Sequence, residues 1–156
     1  MTAIIFPGQG SQYLNMSMDF NENFDVARRV FQEIEDSTKV NIRKIIKENP
    51  LDHLNQTNYT QISIFSASMA IYKSLLNEID DRVIKPKFLL GHSLGEYSAL
   101  VASNLINIAD ASVLIKKRGE LMHSSVEPNV SCMAAIIGKN ADFIDNVIKK
   151  NNLKVV

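Results

Sequence analysis

Apolar residues recur at every third and fourth position along much of the first half of the chain, which is the spacing of an amphipathic α-helix. The pattern predicts helices over residues 25–35, from residue 42 until Pro50 ends the run, and over residues 61–79. The third helix carries its large apolar side chains on one stripe. It is therefore expected to cover a sheet and to serve packing rather than to bind a cofactor.

Two short runs are continuously apolar, which is typical of strands buried in a parallel sheet. They lie at Ala3–Phe6 and at residues 87–90, and each ends at a glycine-rich turn. The second turn leads directly into a segment whose apolar positions, among them Leu100 and Val101, follow helical spacing. Strands separated by helices indicate an α/β fold with a parallel sheet.

The second half of the chain predicts one more long helix and then a boundary. Asp110 is expected to cap a helix that continues to about Ser125, and Pro128-Asn129 then interrupts regular structure. We therefore expect residues 1–128 to form the α/β core and residues 129–156 to form a second, smaller part.

The sequence of this smaller part predicts a strand over residues 132–137, a helix capped by Asn140, and a strand over residues 153–156 that is cut off where the chain ends. Its sheet and the sheet of the larger part each have too few predicted strands to form a stable structure alone. The expectation is that each is a portion of a larger unit.

Composition and charge exclude several classes of function. Apolar residues make up 46% of the chain, and seventeen basic residues balance seventeen acidic ones, so no overall field attracts nucleic acid or an anionic membrane. No apolar run approaches the ~20 residues that span a bilayer, and no secretory signal begins the chain, so a cytoplasmic protein is expected. Cys132, the only cysteine, is expected to be a small core residue.

The motif Gly91-His92-Ser93-Leu94-Gly95 lies between the second strand and the helix that follows it. A Gly-x-Ser-x-Gly sequence in a strand–turn–helix context predicts a nucleophile elbow, in which a strained turn presents the serine at its tip. The start of the following helix supplies free backbone N–H groups and the positive end of its dipole. Ser93 is therefore the expected nucleophile of an acyl transfer.

The first glycine-rich turn, residues 7–12, is a candidate for the other side of the same site. Gly8 and Gly10 allow the main chain to pass close to another group. The backbone N–H of Gln9 and that of Leu94 could then form an oxyanion hole. Spacing alone leaves open that this turn is an ordinary strand-to-helix connection.

Four segments resemble the malonyl-CoA:acyl-carrier-protein transacylase family of bacterial fatty acid synthesis. They are, in chain order, Phe6-Pro7-Gly8-Gln9-Gly10-Ser11-Gln12, Gly91-His92-Ser93-Leu94-Gly95-Glu96-Tyr97-Ser98-Ala99-Leu100, Lys117-Arg118-Gly119-Glu120-Leu121-Met122 and Met133-Ala134-Ala135-Ile136-Ile137-Gly138. The resemblance covers the whole chain in the family's order. The chain stops at Val156, however, whereas members of the family are considerably longer.

The resemblance implies a fold, substrates and a residue role. The fold is part of an α/β-hydrolase-like parallel-sheet domain, followed by the start of a small ferredoxin-like α+β subdomain. The substrates are malonyl-CoA and acyl carrier protein, with a malonyl-serine intermediate on Ser93 and neither a metal nor a redox cofactor. Arg118 is similar to the family's arginine that binds the free malonyl carboxylate, a task suited to a planar two-pronged cation.

A serine nucleophile requires a base, and His53, His92 and His123 are the only histidines in the sequence. His92 adjoins Ser93, where neighbouring side chains point apart, while His53 and His123 are expected at the surface. In the family that the chain resembles, the base is a histidine well C-terminal of the serine. The expectation is that the base is not present in this chain, and that these 156 residues alone do not turn over malonyl-CoA.

Two other functions stay open at this point. One is a serine esterase or thioesterase of the α/β-hydrolase class, although its oxyanion loop is usually a His-Gly-Gly-type segment and its acyl acceptor is water. The other is a non-catalytic chain that binds only an acyl carrier or a partner subunit.

Overall fold

A computed structural model describes residues 2–80, 83, 85–125 and 136–154. The chain divides into two compact units, Met1–Ser125 and Val126–Val156. Most of the strand predicted over residues 132–137 lies outside the described residues, as does Cys132. Residues 153 and 154 have no regular structure, and the rest of the last predicted strand is not described. The boundary after residue 128 stays a prediction.

The first unit holds two strands and six α-helices among its described residues, and the second holds one helix. In chain order they are β1 (Ala3–Phe6), α1 (Met18–Asn23), α2 (Asp25–Thr38), α3 (Ile42–Glu48), a 3-10 segment (Pro50–Asn55), α4 (Thr57–Glu78), β2 (Phe88–Gly91), α5 (Leu94–Ala102), α6 (Ile108–His123) and α7 (Ala141–Lys150).

Helix α4 lies at the centre of the first unit and packs against α2, α5 and α6. Every residue from position 61 to position 70 is buried, so this part of the helix is covered on all sides. The prediction of a helix that covers a sheet with one apolar stripe is therefore wrong in part. Small serine and alanine residues occupy the other faces, and their size lets neighbouring helices approach closely.

Tyr72 of α4 links this helix to the segment that carries the predicted nucleophile. Its ring meets Phe6 of β1 edge to face, with 5.5 Å between centroids, and its hydroxyl donates to the carbonyl of Ala102 at 3.4 Å. Burial raises the pKa of the Tyr72 phenol above its ordinary value, because the phenolate would lose its hydration. The strand and the end of α5 are thus packed on the same face of α4.

The strands β1 and β2 form a parallel pair, with Ala3 opposite Phe88 and Phe6 opposite Gly91. Phe6 is 4% exposed, but Ile5 is 70% exposed and Leu90 is 49% exposed. The prediction that both strands are buried is therefore wrong for one face of the pair. Successive strand residues point to opposite faces, and within the described part of the chain helices pack on one face only.

The helix caps confirm one sequence prediction and correct another. The Asn140 side chain accepts a hydrogen bond from the backbone N–H of Phe143 at 3.1 Å, so Asn140 caps α7 as expected. Helix α6, in contrast, is capped by Asn107, whose Oδ1 accepts the N–H of Asp110 at 2.7 Å. Asp110 lies inside the first turn, where its charge favours the positive end of the helix dipole.

The helices of the described residues include none that is long and apolar enough to cross a membrane. The longest is α4, with 22 residues.

Candidate active site

Ser93 stands at the turn between β2 and α5, with a backbone φ of 51° and ψ of −100°. This positive φ is costly for a residue with a side chain, and it persists where the surrounding structure fixes the backbone. Ser93 occupies the N-cap position of α5, yet its hydroxyl makes no capping bond. The exposed hydroxyl is therefore not engaged in holding the start of the helix.

Two glycines make this turn possible, because their missing side chains leave room for main-chain contacts. A Cβ on Gly91 would lie 2.0 Å from the carbonyl carbon of Gly95, and one on Gly95 would lie 2.2 Å from the carbonyl oxygen of Phe6. Real Cβ atoms do not approach backbone atoms this closely. We call residues 91–95 the elbow; its geometry agrees with the steric argument made from the motif.

The glycine-rich turn at residues 7–12, called the donor loop below, runs beside the elbow. A Cβ on Gly8 would lie 2.7 Å from both the Nδ1 atom and the carbonyl oxygen of His92. Within the loop, the N–H of Gly10 donates to the Gln12 side chain at 2.9 Å, and the Ser11 hydroxyl donates to the carbonyl of Gly8 at 2.8 Å. The two turns thus approach each other closely, as the prediction of an oxyanion site requires.

The two predicted oxyanion donors have no acceptor within the described part of the protein. The backbone N–H of Gln9 belongs to no helix or strand, and that of Leu94 is the first of α5, where a helix has no internal acceptor. Leu94 is only 1% exposed, so its unpaired N–H is largely shielded from bulk water. An unpaired buried donor is costly and suits a site that binds an anionic oxygen.

Arg118 lies beside Ser93, the predicted nucleophile, although twenty-five positions of sequence separate the two residues. Its Nη2 donates to Ser93 Oγ at 3.0 Å, its Nη1 donates to Oε1 of Gln61, and its guanidinium carbon is 5.7 Å from the centre of the Tyr97 ring. From the sequence alone, Arg118 was expected to be a solvent-exposed cation. The structure places a permanently charged, two-pronged donor at the tip of the elbow.

Sequence reasoning missed Gln61. This side chain is fully buried on α4; besides accepting from Arg118, it donates from Nε2 to the sulfur of Met122 at 3.2 Å. Its position was detectable, since Gln61 lies four residues before Phe65 and therefore on the same helical face as that apolar residue. A buried amide on such a face needs partners, and here one of them is the arginine at the nucleophile.

The three histidines lie at different places around the unit. His92 is exposed and faces Gly8, His53 stacks on the ring of Tyr59 with 4.2 Å between centroids, and His123 is the exposed last residue of α6. Across residues 2–80, 83, 85–125 and 136–154, none of them hydrogen-bonds to Ser93 Oγ. That the base is a histidine outside this sequence stays a prediction.

The described residues contain no group of three or more histidine, cysteine, aspartate or glutamate side chains that could hold a metal ion. Ser93 Oγ accepts a hydrogen bond from the guanidinium of Arg118, a group that binds anions. An oxyanion role for the Gln9 and Leu94 N–H groups, and a carboxylate-binding role for Arg118, stay predictions.

Comparison with known proteins places this geometry in context. The family model described as the acyl transferase domain matches residues 3–148. A malonyl CoA-acyl carrier protein transacylase of Bacillus subtilis strain 168 is 36% identical over 148 residues, which is 95% of this chain and 45% of that protein. One of Haemophilus influenzae is 35% identical over 148 residues, 95% of this chain and 47% of that protein. The chain thus spans about half the length of the curated relatives it matches.

Solved structures agree with the sequence relatives. The malonyl CoA-acyl carrier protein transacylase from Coxiella burnetii superposes with a TM-score of 0.86 at 32% identity, over 99% of this chain and 48% of that one. A type II PKS acyl-carrier protein in complex with its malonyl-transacylase gives a TM-score of 0.83 at 36% identity, over 96% of this chain and 47% of that one.

Proposed function

The chain belongs to the acyl transferase domain family, and on that premise we propose that its protein transfers the malonyl group of malonyl-CoA to the phosphopantetheine thiol of acyl carrier protein in fatty acid biosynthesis. The observation that carries the proposal is the hydrogen bond from Arg118 to Ser93 Oγ. It sets a carboxylate-binding group within reach of an acyl nucleophile. The sequence relatives, which are malonyl CoA-acyl carrier protein transacylases, and the solved complex of a malonyl-transacylase with its carrier protein support the same choice of donor and acceptor.

In the first half of the proposed reaction, Ser93 Oγ attacks the thioester carbonyl carbon of malonyl-CoA. The new C–O bond converts the carbonyl oxygen to an oxyanion, which the N–H groups of Gln9 and Leu94 stabilise. The C–S bond then breaks, the thiol of coenzyme A leaves with a proton, and Ser93 carries a malonyl ester. The proton of the serine goes to the base, which we assign to a histidine outside this sequence.

Arg118 binds the free carboxylate of the malonyl group throughout this reaction. A guanidinium donates two parallel hydrogen bonds to a carboxylate and keeps its charge at every working pH. Its Nη2 donates to Ser93 Oγ, and a carboxylate that takes the place of this hydroxyl is a stronger acceptor and releases the nucleophile. Gln61 accepts from Nη1 and so fixes the side of the guanidinium that faces α4.

In the second half, the phosphopantetheine thiol of acyl carrier protein attacks the malonyl ester on Ser93. The C–O bond to the serine breaks, the malonyl thioester of the carrier forms, and the serine recovers its proton. The same two N–H groups stabilise the second oxyanion. No metal or redox cofactor enters either half.

Finer features of the fold and location also remain proposals. We assign residues 1–128 to part of an α/β-hydrolase-like domain and residues 129–156 to the start of a ferredoxin-like subdomain. Support for the second assignment is α7, whose apolar Phe143, Ile144, Val147 and Ile148 recur at helical spacing. The cytoplasmic location expected from the sequence likewise stays a prediction.

Covalent labelling tests the proposed function. The full-length protein mixed with malonyl-CoA is expected to gain one malonyl group on Ser93, seen by intact mass and peptide mapping, and to lose it when a holo acyl carrier protein is added. Ser93→Ala should take up no malonyl group. Ser103→Ala, which alters an exposed hydroxyl at the end of α5, should label as the wild type does.

Two results would contradict the proposal. The first is a modification that persists in Ser93→Ala. The second is release of free malonate at the same rate with or without carrier protein. That outcome identifies water as the acyl acceptor and favours the esterase hypothesis.

A further inference from the structure

The donor loop is attached to helix α4 through its glutamine side chains. Gln9 Nε2 donates to the hydroxyl of Thr57, the first residue of α4, at 3.0 Å. Gln12 Nε2 reaches Oδ1 of Asn55, just before the helix, at a longer 3.4 Å. The other side-chain hydrogen bonds of the loop stay within it. The Gln9–Thr57 bond is therefore the better of the two links that set the loop's position against the helix.

The first turn of α4 also contacts Arg118. Thr57 and Gln61 are four residues apart and lie on one face of the helix, and Gln61 accepts the hydrogen bond from Arg118. At Gly119, next to the arginine, a Cβ would lie 3.2 Å from the carbonyl oxygen of Thr57, so α6 passes close to this turn. One helical turn thus contacts both groups that are proposed to bind substrate.

We propose that Thr57 is a positioning residue for malonyl transfer: through the Gln9 side chain, its hydroxyl sets the place of the Gln9 N–H relative to Arg118. The thioester oxygen and the carboxylate of a malonyl group are joined by a single methylene, so their two binding groups need a fixed separation. Misplacement of an oxyanion donor by a fraction of an ångström weakens its bond to the transition state more than its contact with bound substrate. This inference rests on the function proposed above.

The structure indicates that the hydroxyl of Thr57, rather than the bulk of its side chain, positions the donor loop. The Oγ1 atom accepts the bond from Gln9, whereas a valine of similar shape has no acceptor. Serine retains the acceptor and lacks only the methyl group. Rescue by serine therefore separates a positioning hydrogen bond from a packing contact.

The test compares Thr57→Val and Thr57→Ser in the full-length protein, with Thr38→Val as the matched control. The Thr38 hydroxyl donates to the Ile34 carbonyl of its own helix and does not contact the donor loop. Single-turnover labelling of Ser93 by malonyl-CoA gives the maximal rate and the half-saturating concentration. Thr57→Val is expected to lower the maximal rate about tenfold, with half-saturation within about twofold of wild type. Thr57→Ser and Thr38→Val should stay within about twofold of wild type in both quantities.

A second readout does not depend on malonyl transfer. The Gly10 N–H donates to the Gln12 side chain, so hydrogen exchange of a peptide that covers residues 7–12 reports how firmly the loop is held. We expect faster exchange in Thr57→Val than in Thr57→Ser, which should match the wild type.

The outcomes separate this inference from the proposed function. Equal labelling rates in Thr57→Val and wild type, or equal losses in Thr57→Val and Thr57→Ser, overturn the role of the hydroxyl. If the wild type takes up no malonyl group, the proposed function fails by itself. Loop exchange then decides the inference: faster exchange in Thr57→Val alone supports the link from Thr57 to the donor loop, and equal exchange in all variants rejects it.

Discussion

The elbow and the donor loop face each other across one site, yet they are held by different forces. In the elbow, Gly95 is buried and its Cα lies against the main chain of Phe6, so backbone atoms fix the position of Ser93. In the donor loop, Gly10 has no atom within 4 Å of where a Cβ would stand. Beyond Gly8, which still meets the main chain of His92, side-chain hydrogen bonds from Gln9 and Gln12 position that loop.

This difference indicates which part of the site can be changed. A backbone-to-backbone contact has no flexible end, so a substitution there must displace a strand or a helix. A hydrogen bond between side chains can lengthen, exchange partners or be replaced by water at modest cost. The predicted nucleophile is therefore fixed by the fold, whereas the predicted oxyanion donor in the loop is adjustable through side chains.

The largest expected effect is that of Gly95→Ala in the elbow. Its new Cβ would lie 2.2 Å from the carbonyl oxygen of Phe6. We expect a loss of about 5 kcal/mol or more in the free energy of unfolding, or failure to fold, because strand and helix must separate to admit it. Urea unfolding followed by circular dichroism measures the change. A loss below about 1 kcal/mol would show that the elbow is held less rigidly than its backbone contacts imply.

The next effect concerns Arg118, which belongs to neither turn and is proposed to bind the substrate. Arg118→Ala removes the proposed partner of the malonyl carboxylate and should cost about 2 to 5 kcal/mol of transition-state stabilisation for malonyl transfer. Acetyl transfer should suffer far less, because an acetyl group has no carboxylate. The ratio of kcat/KM for malonyl-CoA and acetyl-CoA measures this selectivity.

Lys117→Ala is the control for Arg118, since it removes a neighbouring cation that is exposed on α6. It should leave the ratio unchanged. An equal slowing of acetyl and malonyl transfer by Arg118→Ala would assign the arginine to the support of Ser93 and Gln61 rather than to substrate binding.

The smallest effect is expected at Gly10→Ala in the donor loop. Gly10 has a φ of 104° and open space where the Cβ would be placed. The cost is conformational strain without a steric clash, about 1 kcal/mol of unfolding free energy. Because Gly95→Ala is the same chemical change, the two unfolding curves compare the turns directly. Similar losses for both variants would remove the distinction between a rigid elbow and an adjustable loop.

The features that were predicted correctly from the sequence depend on residues that lie close together along the chain. A Gly-x-Ser-x-Gly motif between a strand and a helix allowed the elbow to be placed, and Asn140 was identified as a cap because capping bonds reach only three residues along the chain. The same local reasoning failed at α6, where Asn107 and Asp110 could both begin the helix. It also missed α1, a polar helix on which only Met18 is buried.

Features that depend on distant segments were beyond such rules. Gln61 is paired with Arg118 through the packing of α4 on α6, which no spacing along the chain encodes. Likewise, the apolar run of β2 gave no sign of which face would be covered, and Leu90 proved half exposed. For Ser93, Gln9, Leu94 and Arg118, motif and resemblance supplied the names, but only the folded structure supplies their neighbours.

The pairing of Ala3 with Phe88 has a consequence for the order of folding. These partners are about 85 positions apart, and closing so long a loop costs roughly 4 kcal/mol of chain entropy before the strands gain any contact. The helices between them form from nearer contacts, and they bring the strands together. Because Gly95 rests on the carbonyl of Phe6, the strained turn at Ser93 cannot be assembled until that late step. We expect the nucleophile to take its geometry after most of the helical core has formed, so partly folded chains would have helices but no reactive serine.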